Sequence, residues 1–256
     1  MQYELETTDV SLDLFGSAKS KLIDKRITKN RETPFLLMLR AATSAKKFLV
    51  SRKAKSITIF IGKGNNGEDG LCLAALLKIE NIKTHVIDLE YKSRPESQAY
   101  KLCIDLGIMI ERFNINKIPS SDWYVDGVFG IGLNRDLKGN YLRAINYLQC
   151  SQSKKILSLD LPSGLDGSKG IIFNSAVKAT ATITFLTLKP GLFIDKACDY
   201  AGVIYFDNLG MSKLGYKPDM KAISKENIHI SALSRSAHKG ERGSILCLGG
   251  SKSMEG

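Results

Sequence analysis

The sequence predicts an α/β fold, a three-layer αβα sandwich built on a Rossmann-like, mainly parallel sheet. Short apolar runs rich in β-branched residues alternate with segments of helical composition, as in βαβ units. The runs at residues 57–61 and 156–159 are apolar on both faces, as strands buried between two helix layers must be. The first run breaks into a glycine-rich loop that opens a helical segment, which is how a doubly wound sheet often begins.

The elements follow one another in the order expected of such a sheet. A helix is predicted over residues 35–49, where apolar residues recur at near-helical spacing. The predicted strands cover residues 56–61, 84–89, 122–128, 155–161, 180–186 and 203–206. Helical stretches at residues 71–79, 96–106 and 141–150 lie between several of them. Ligands of such sheets bind beyond the carboxyl ends of the strands, so the loops that follow the strands are the candidates for a site.

The formal net charge of +11 is concentrated in one segment. Residues 17–55 contain twelve Lys or Arg residues, against only Asp24 and Glu32. Because apolar residues recur between these charges, we interpret the segment as a helix that packs on the sheet and keeps a solvated basic face. The alternative is an electrostatic patch for an acidic partner. No aromatic RNA-binding signature accompanies the charge, so a nucleic-acid partner is not expected.

Length and composition predict a globular, cytoplasmic protein. The chain of 256 residues, 43% hydrophobic and 25% charged, can form one large α/β domain or a domain and a piece of another. No apolar run approaches the roughly 18–20 residues that a membrane helix requires. The acidic N-terminus lacks the positive charge of a signal peptide. The five cysteines are scattered without a C-x-x-C pair, which favours reduced thiols over a zinc site.

The loop after the first predicted strand is the most informative stretch of the chain. Gly62, Gly64 and Gly67 spell G-x-G-x-x-G, the pattern that presents backbone N–H groups and a helix N-terminus to a phosphate. Asn65, Asn66 and Asp69 add side-chain oxygens that a dinucleotide loop does not need. Oxygen ligands suit a hard cation, so the loop is predicted to hold a phosphate group and a metal ion together.

Two further loops leave predicted strand ends with acids and glycines. Asp126 precedes Gly130 and Gly132, and Asp160 precedes Pro162, Ser163 and Gly164. Taken singly, either aspartate could cap a turn by accepting backbone N–H bonds. In a parallel sheet, however, all three loops meet at one edge, so we expect them to line a common crevice.

Four motifs in this order resemble the YjeF N-terminal family over roughly residues 20–210. They are GxGNNGxDG, VDxxFGxGL, DxPSGLD and the late segment TATITFLTLKPGL. The family's enzymes are NAD(P)HX epimerases, which interconvert the R and S forms of hydrated NADH and NADPH. Residues 238–251 resemble the start of an ADP- or ATP-dependent NAD(P)HX dehydratase domain. We therefore expect an epimerase domain over residues 1–233, and a linker and first strand of a dehydratase domain over residues 234–256.

The resemblance also implies residue roles. Asp160 is the expected catalytic residue, and the expected ligands of a potassium ion are Asn66, Asp126 and Ser163. The expected substrate-binding residues are Asn65, Asn66, Gly67, Glu68, Asp69, Gly130, Ile131, Gly132, Leu133, Asn134, Arg135, Asp136 and Asp160. The expected substrates are NADHX and NADPHX, and the expected assembly is a homodimer or a larger homo-oligomer. Lys189 is expected to be structural or to screen phosphate.

Two other interpretations remain open at this point. An NAD-dependent dehydrogenase would explain the three glycines and Asp88 but leaves Asp160 and the asparagine pair without a role. A non-catalytic dimerising scaffold would share the fold.

One departure from the family pattern bears on activity, since Glu68 stands where the family usually has a second glycine. If that position had a positive φ, Glu68 would introduce backbone strain of about 1–2 kcal/mol.

Overall fold

A seven-stranded parallel sheet forms the centre of the fold. The computed structural model describes residues 13–30, 33–91, 96–150, 154–211 and 215–222. The strands of the sheet are β2 (Ser56–Ile61), β3 (Lys83–Asp88), β4 (Ile110–Arg112), β5 (Trp123–Gly127), β6 (Ile156–Leu159), β7 (Ala181–Phe185) and β8 (Val203–Asp207). Their spatial order is β4-β3-β2-β5-β6-β7-β8. Two short strands, β1 (Asp13–Leu14) and β9 (Met220–Lys221), pair antiparallel beside it.

Five α-helices accompany the sheet in the part of the chain that the structure describes. They are α1 (Ser17–Asn30), α2 (Pro34–Ser51), α3 (Asn65–Ile79), α4 (Gln98–Asp105) and α5 (Gly139–Gln149). The start of α2 follows from its sequence, because the Thr33 hydroxyl accepts the Leu36 N–H and Pro34 occupies the first helical position. Ser97 caps α4 in the same way by accepting the Tyr100 N–H. No helix within the described ranges has the length and hydropathy to span a bilayer.

The sheet is buried on both faces because its strands are apolar on both. Ile57 and Ile59 of β2 pack into a core with α1, α2, α3 and α4. Phe60 of the same strand points to the opposite face and packs with Ile145 and Leu148 of α5. This alternation is the period of two that a strand imposes. The predicted αβα sandwich with a parallel sheet is therefore confirmed.

The connections of β2 and β5 fix the position of the crevice. From β2 the chain continues to β3 and β4 on one side, and it returns to β5 on the other side of β2. The connections that leave these neighbouring strands therefore diverge, which opens a crevice beyond their carboxyl ends. The asparagine pair follows β2 after the three residues 62–64, and Asp126 lies within β5.

The predicted strands agree with the structure to within two residues at each end, but some elements were missed. Helix α3 begins at Asn65, six residues before the predicted start, so the asparagine pair lies in a first helical turn and not in a loop. Helix α1 was not predicted separately because only Ile23 and Ile27 give it an apolar stripe among many charges. The three-residue edge strand β4 is too short to show a pattern. Residues 234–256, the predicted start of a second domain, lie outside the described residues.

Candidate active site

A cavity of about 870 Å³ opens at the carboxyl end of the sheet. All three predicted loops contribute to its wall, and α1 and α2 close the remaining side. The predicted site residues in this wall are Asn65, Asn66, Asp69, Gly130, Ile131, Gly132, Leu133, Asn134, Arg135, Asp136 and Asp160. Gly67, Glu68, Asp126 and Ser163 do not line it. The expectation that the three loops share one crevice is therefore confirmed.

Glycines allow the loops to approach each other at the base of the cavity. A Cβ atom on Gly67 would lie 2.0 Å from the Gly62 carbonyl oxygen, and one on Gly62 would lie 2.3 Å from that of Val128. Side chains at either position would push β2, α3 and the β5 loop apart. Gly67 is thus a packing residue behind the wall, and it brings the N-terminus of α3 to the cavity. Helix N-termini favour anionic groups.

Glu68 does not carry the backbone strain considered from the sequence. It lies within α3 and is not among the residues with positive φ. Its carboxylate accepts a hydrogen bond from the Ser97 hydroxyl at the start of α4, away from the cavity wall. The glycine that this turn requires is Gly67, so a side chain at position 68 is compatible with the fold.

Asp126 is a fully buried carboxylate behind the cavity wall. Its oxygens accept four hydrogen bonds, from Ser158 Oγ at 2.9 Å, from the Ser163 N–H at 2.8 Å and Oγ at 2.5 Å, and from the Val128 N–H at 3.3 Å. Burial raises the pKa of Asp126, although these bonds oppose the shift. Ser163 Oγ in turn accepts the Phe129 N–H at 2.8 Å. The network ties β5, β6 and both following loops together.

The Asn66 side chain is an exception among the buried polar groups. It is 6% exposed, and neither its oxygen nor its nitrogen has a hydrogen-bond partner. An unsatisfied buried polar group costs about 1–3 kcal/mol, so such a group needs an explanation. The oxygen is free to bind a ligand, and the Asn66 backbone carbonyl lies beside Gly127, the residue that follows Asp126. The side-chain oxygens of Asn66, Asp126 and Ser163 are of the type that binds a hard monovalent cation. Direct ligation by Asp126 would require one of its four hydrogen bonds to be released.

Asp160 is held in an unusual backbone conformation at the end of β6. Its φ is +64°, a value that few non-glycine residues adopt, and its N–H donates to the Ile183 carbonyl at 2.7 Å. One carboxylate oxygen accepts the Ile131 N–H at 3.3 Å. A Cβ on Gly130 would lie 2.7 Å from that oxygen, which explains the glycine there. The strained backbone is typical of functional sites.

Lys189 is the principal partner of Asp160. Its ammonium group donates to Asp160 Oδ1 at 2.5 Å, to Thr184 Oγ1 at 2.9 Å and to the Phe185 carbonyl at 2.7 Å. The Lys189 side chain is 2% exposed and that of Asp160 is 14% exposed. Asp160 is therefore more than a turn cap. Lys189 was predicted to be structural or to screen phosphate, because nothing in the chain order shows that it reaches Asp160.

Two more carboxylates, Asp24 and Asp69, line the same cavity. The pKa of Asp69 is raised well above its usual value by burial, and then by the negative charges of Asp160, Asp24 and Glu68. The pKa of Asp24 is raised by burial and then by Asp160, while Lys189 opposes both shifts. Asp24 was not among the residues predicted for the site, although it is the only acid of α1 and follows the buried Ile23.

The cavity therefore combines groups in different electrostatic states. An ion-paired carboxylate, Asp160, lies near two carboxyl groups whose pKa values are raised by burial and by neighbouring negative charge. Lys63 and Arg135 add positive charge to the wall. Such a cavity can bind an anionic ligand and move a proton at a polar atom of it.

Comparisons with known proteins identify the family and agree with the fold described above. A family model described as YjeF-related protein N-terminus matches residues 34–191. The bifunctional NAD(P)H-hydrate repair enzyme Nnr of Coxiella burnetii is 31% identical over 95% of this chain and 52% of its own length. The Escherichia coli protein of that name is 32% identical over 88% of this chain and 45% of its own length. This chain thus spans about half the length of these relatives.

A shorter relative is covered almost completely. The NAD(P)H-hydrate epimerase of Oenococcus oeni is 30% identical over 73% of this chain and 91% of its own length. The crystal structure of the yeast protein ynu0 matches with a TM-score of 0.68 over 84% of this chain and 98% of that one. At 19% identity, that likeness shows the fold alone. Since the family model covers more than half of the residues, including all three loops of the cavity, the chain belongs to the YjeF-related N-terminal family.

Proposed function

We propose that this chain is an NAD(P)H-hydrate epimerase, which interconverts the R and S forms of NADHX and NADPHX. The Asp160–Lys189 pair carries the proposal, because it places an ion-paired carboxylate in the wall of a crevice suited to a nucleotide. The names of the Coxiella burnetii and Oenococcus oeni relatives support the same activity.

The chemistry of the substrate suits such a carboxylate. The hydrated carbon of NADHX bears a hydroxyl group next to the ring nitrogen and is therefore a hemiaminal. Its configuration is lost when the hydroxyl departs to leave an iminium, or when the ring opens to an aldehyde. Either path moves a proton at the hydroxyl group, which is the role we assign to Asp160. Lys189 holds the carboxylate in place through its ammonium group.

The rest of the cavity wall fits the remainder of a dinucleotide. We assign the N-terminus of α3, with Asn65, Asn66 and Asp69, to the polar part of the substrate. The turn from Gly130 to Asp136 forms the facing wall, and Arg135 there supplies a positive charge for phosphate groups. Gly67 and Glu68, which the family resemblance implies as substrate contacts, act indirectly by shaping the start of α3.

A potassium ion is the proposed cofactor. Asn66, with its unpartnered buried amide, would be its first ligand, and Asp126 and Ser163 would supply further oxygen atoms or charge. Bound there, the ion would offset negative charge between the substrate pyrophosphate and the carboxylates. Within the described residues no cluster of three His, Cys, Asp or Glu side chains could hold a metal, so the proposed site depends on the neutral oxygens of Asn66 and Ser163 together with the Asp126 carboxylate.

The two rival interpretations are weaker. A dehydrogenase would use the acid at the end of β3 to bind a ribose, but Asp88 is 1% exposed, accepts the Glu90 N–H and lies outside the wall of this cavity. A scaffold without activity would have no use for a strained, ion-paired aspartate in a cavity wall. We expect a homodimer or larger homo-oligomer, which size-exclusion chromatography with light scattering would test.

The test is equilibration of purified R-NADHX by the chain, followed by chromatography against the spontaneous rate. Equilibration well above that rate, without oxidation of the nicotinamide ring, supports an epimerase. A change in reduced-nicotinamide absorbance with an alcohol or carbonyl compound would support the dehydrogenase instead. The resemblance of residues 238–251 also leads us to propose a dehydratase domain, starting near residue 234, in any longer protein that contains this chain.

A further inference from the structure

Asp24 is a charged group of the cavity that the proposed function does not yet use. Its carboxylate lies in the cavity wall, and none of the hydrogen bonds or ion pairs described for residues 13–30, 33–91, 96–150, 154–211 and 215–222 involves it. Asp126 has its serines and Asp160 has Lys189, whereas among the described residues Asp69 of the same wall also has no hydrogen-bond or ion-pair partner. An unpartnered carboxylate that is directed into a cavity is available to a ligand.

Helix α1 is anchored to the rest of the fold, so Asp24 has a fixed position in the cavity wall. Ile23 is completely buried and Ile27 is 5% exposed in the core. Ser20, one turn before Asp24, hydrogen-bonds to Thr187 Oγ1 at 2.9 Å and to the Phe15 carbonyl at 3.0 Å. Thr187 lies two residues before Lys189, so the same segment anchors α1 and carries the lysine of the ion pair.

The charges around Asp24 come from four parts of the chain. Asp160 and Lys189 act on it from the strand-end loops, Asp69 faces the cavity from α3, and Lys21 is on α1 itself. Burial and Asp160 favour its protonated form, and Lys189 moderates that effect. Asp24 thus differs from Asp160, which has an ammonium group as its hydrogen-bond partner. Asp69 is more deeply buried than Asp24. A proton donor must regain its proton from solvent, and this requirement favours Asp24 over Asp69.

Both routes for epimerisation need a proton donor and a proton acceptor. In the iminium route, an acid protonates the hydroxyl group, the C–O bond breaks with its electrons on oxygen, and water leaves. Water then adds to the other face of the C=N bond and gives up a proton to a base. In the ring-opening route, a base takes the hydroxyl proton while the C–N bond breaks, and an acid protonates the nitrogen. One carboxylate can supply only one of these functions at a time.

We propose that Asp24 is the second proton-transfer residue of this site, a carboxylic acid that gives a proton to the substrate while the Lys189-paired Asp160 accepts one. After one conversion Asp24 is ionised and Asp160 is protonated, which is the state required for the reverse conversion. Exchange with solvent restores the first state. This inference rests on the proposed epimerase function and extends it by one residue.

The test compares Asp24→Asn with Asp24→Glu and with Lys25→Gln. Asp24→Asn should lower kcat by about 10²–10⁴ with KM changed less than about fivefold, and the loss of rate at high pH that an acid causes should disappear. Asp24→Glu, which keeps the carboxyl group, should recover part of the rate. Lys25 neighbours Asp24 on α1 but is exposed and outside the cavity, so Lys25→Gln should match the unaltered protein.

The outcomes separate this inference from the proposed function. If the unaltered protein equilibrates the epimers and Asp24→Asn does so equally fast, Asp24 has no part in proton transfer and only this inference fails. If the unaltered protein does not act on R-NADHX, both fail. A second readout needs no turnover: the ¹³C titration midpoint of the Asp24 carboxyl should lie above the usual aspartate value and should fall in Asp160→Asn. An unchanged midpoint would also overturn the inference.

Discussion

Replacing Lys189 by methionine tests the centre of the site, because this side chain joins Asp160 to the sheet. Its ammonium group makes three hydrogen bonds of 2.5–2.9 Å and is 2% exposed. Methionine fills most of the volume of the aliphatic stem, so the loss is electrostatic. It leaves the Asp160 carboxylate, 14% exposed, without a positive partner. Removing one member of a buried ion pair costs about 3–5 kcal/mol.

We therefore expect Lys189→Met to lower the free energy of unfolding by about 3–5 kcal/mol in urea titrations. The double variant Lys189→Met/Asp160→Asn removes both charges and should recover at least about 1 kcal/mol, since an uncompensated charge is worse than a neutral pair. Lys178→Met is the matched control: Lys178 is exposed, and its replacement should change stability by no more than about 0.5 kcal/mol.

Two results would refute this reasoning. A loss of less than about 1 kcal/mol in Lys189→Met would show that the ion pair does not stabilise the site. A double variant as unstable as the sum of the two single variants would show that the two residues act independently. Circular dichroism before each titration confirms that the variants are folded.

The remaining predictions concern the cation site and the pH dependence of stability. Asn66→Ala should weaken the response of the epimerisation rate to potassium and raise KM, with little loss of stability, because the amide has no partner to lose; an unchanged potassium response would contradict the ligand role. Asp69→Asn should stabilise the fold at neutral pH. Because the folded pKa of Asp69 is raised, its contribution to stability is present below the unfolded pKa and is lost as pH rises through the folded pKa. The gain should therefore shrink toward pH 4 in urea titrations, and an equal gain at both pH values would contradict the shift.

Much of the fold could be predicted because the strands of a buried parallel sheet are apolar on both faces. Strand β2 was predicted at its observed bounds, since Ser56–Ile61 is mostly apolar and β-branched and is followed by a glycine. Helix α3 was predicted to start too late, because Asn65 and Asn66 are typical of loops and their place in a helix depends on the contact between Gly67 and Gly62. That contact is tertiary and leaves no local pattern.

The site could be predicted only in part. Strand ends mark loops that meet at one edge, so Asn65 and Asp160 could be placed in one crevice from chain order alone. The partnership of Asp160 with Lys189 spans 29 residues, and Asp24 reaches the cavity from a helix outside the four motifs. Side-chain pairing across such distances depends on the packing of α1 and β7, which no periodicity shows. Glu68 illustrates the reverse case, because a departure from the motif causes no strain once its backbone is helical.

The most direct test of the account compares the unaltered chain with Asp160→Asn in the equilibration of R-NADHX toward S-NADHX, with nucleotide affinity measured in parallel. The account predicts rapid equilibration by the unaltered chain. In Asp160→Asn it predicts a rate lower by about 10²–10⁴, with affinity within about tenfold, because a positioned proton-transfer group is removed while the cavity remains. If Asp160→Asn equilibrates the epimers as fast as the unaltered chain, Asp160 is not the catalytic residue.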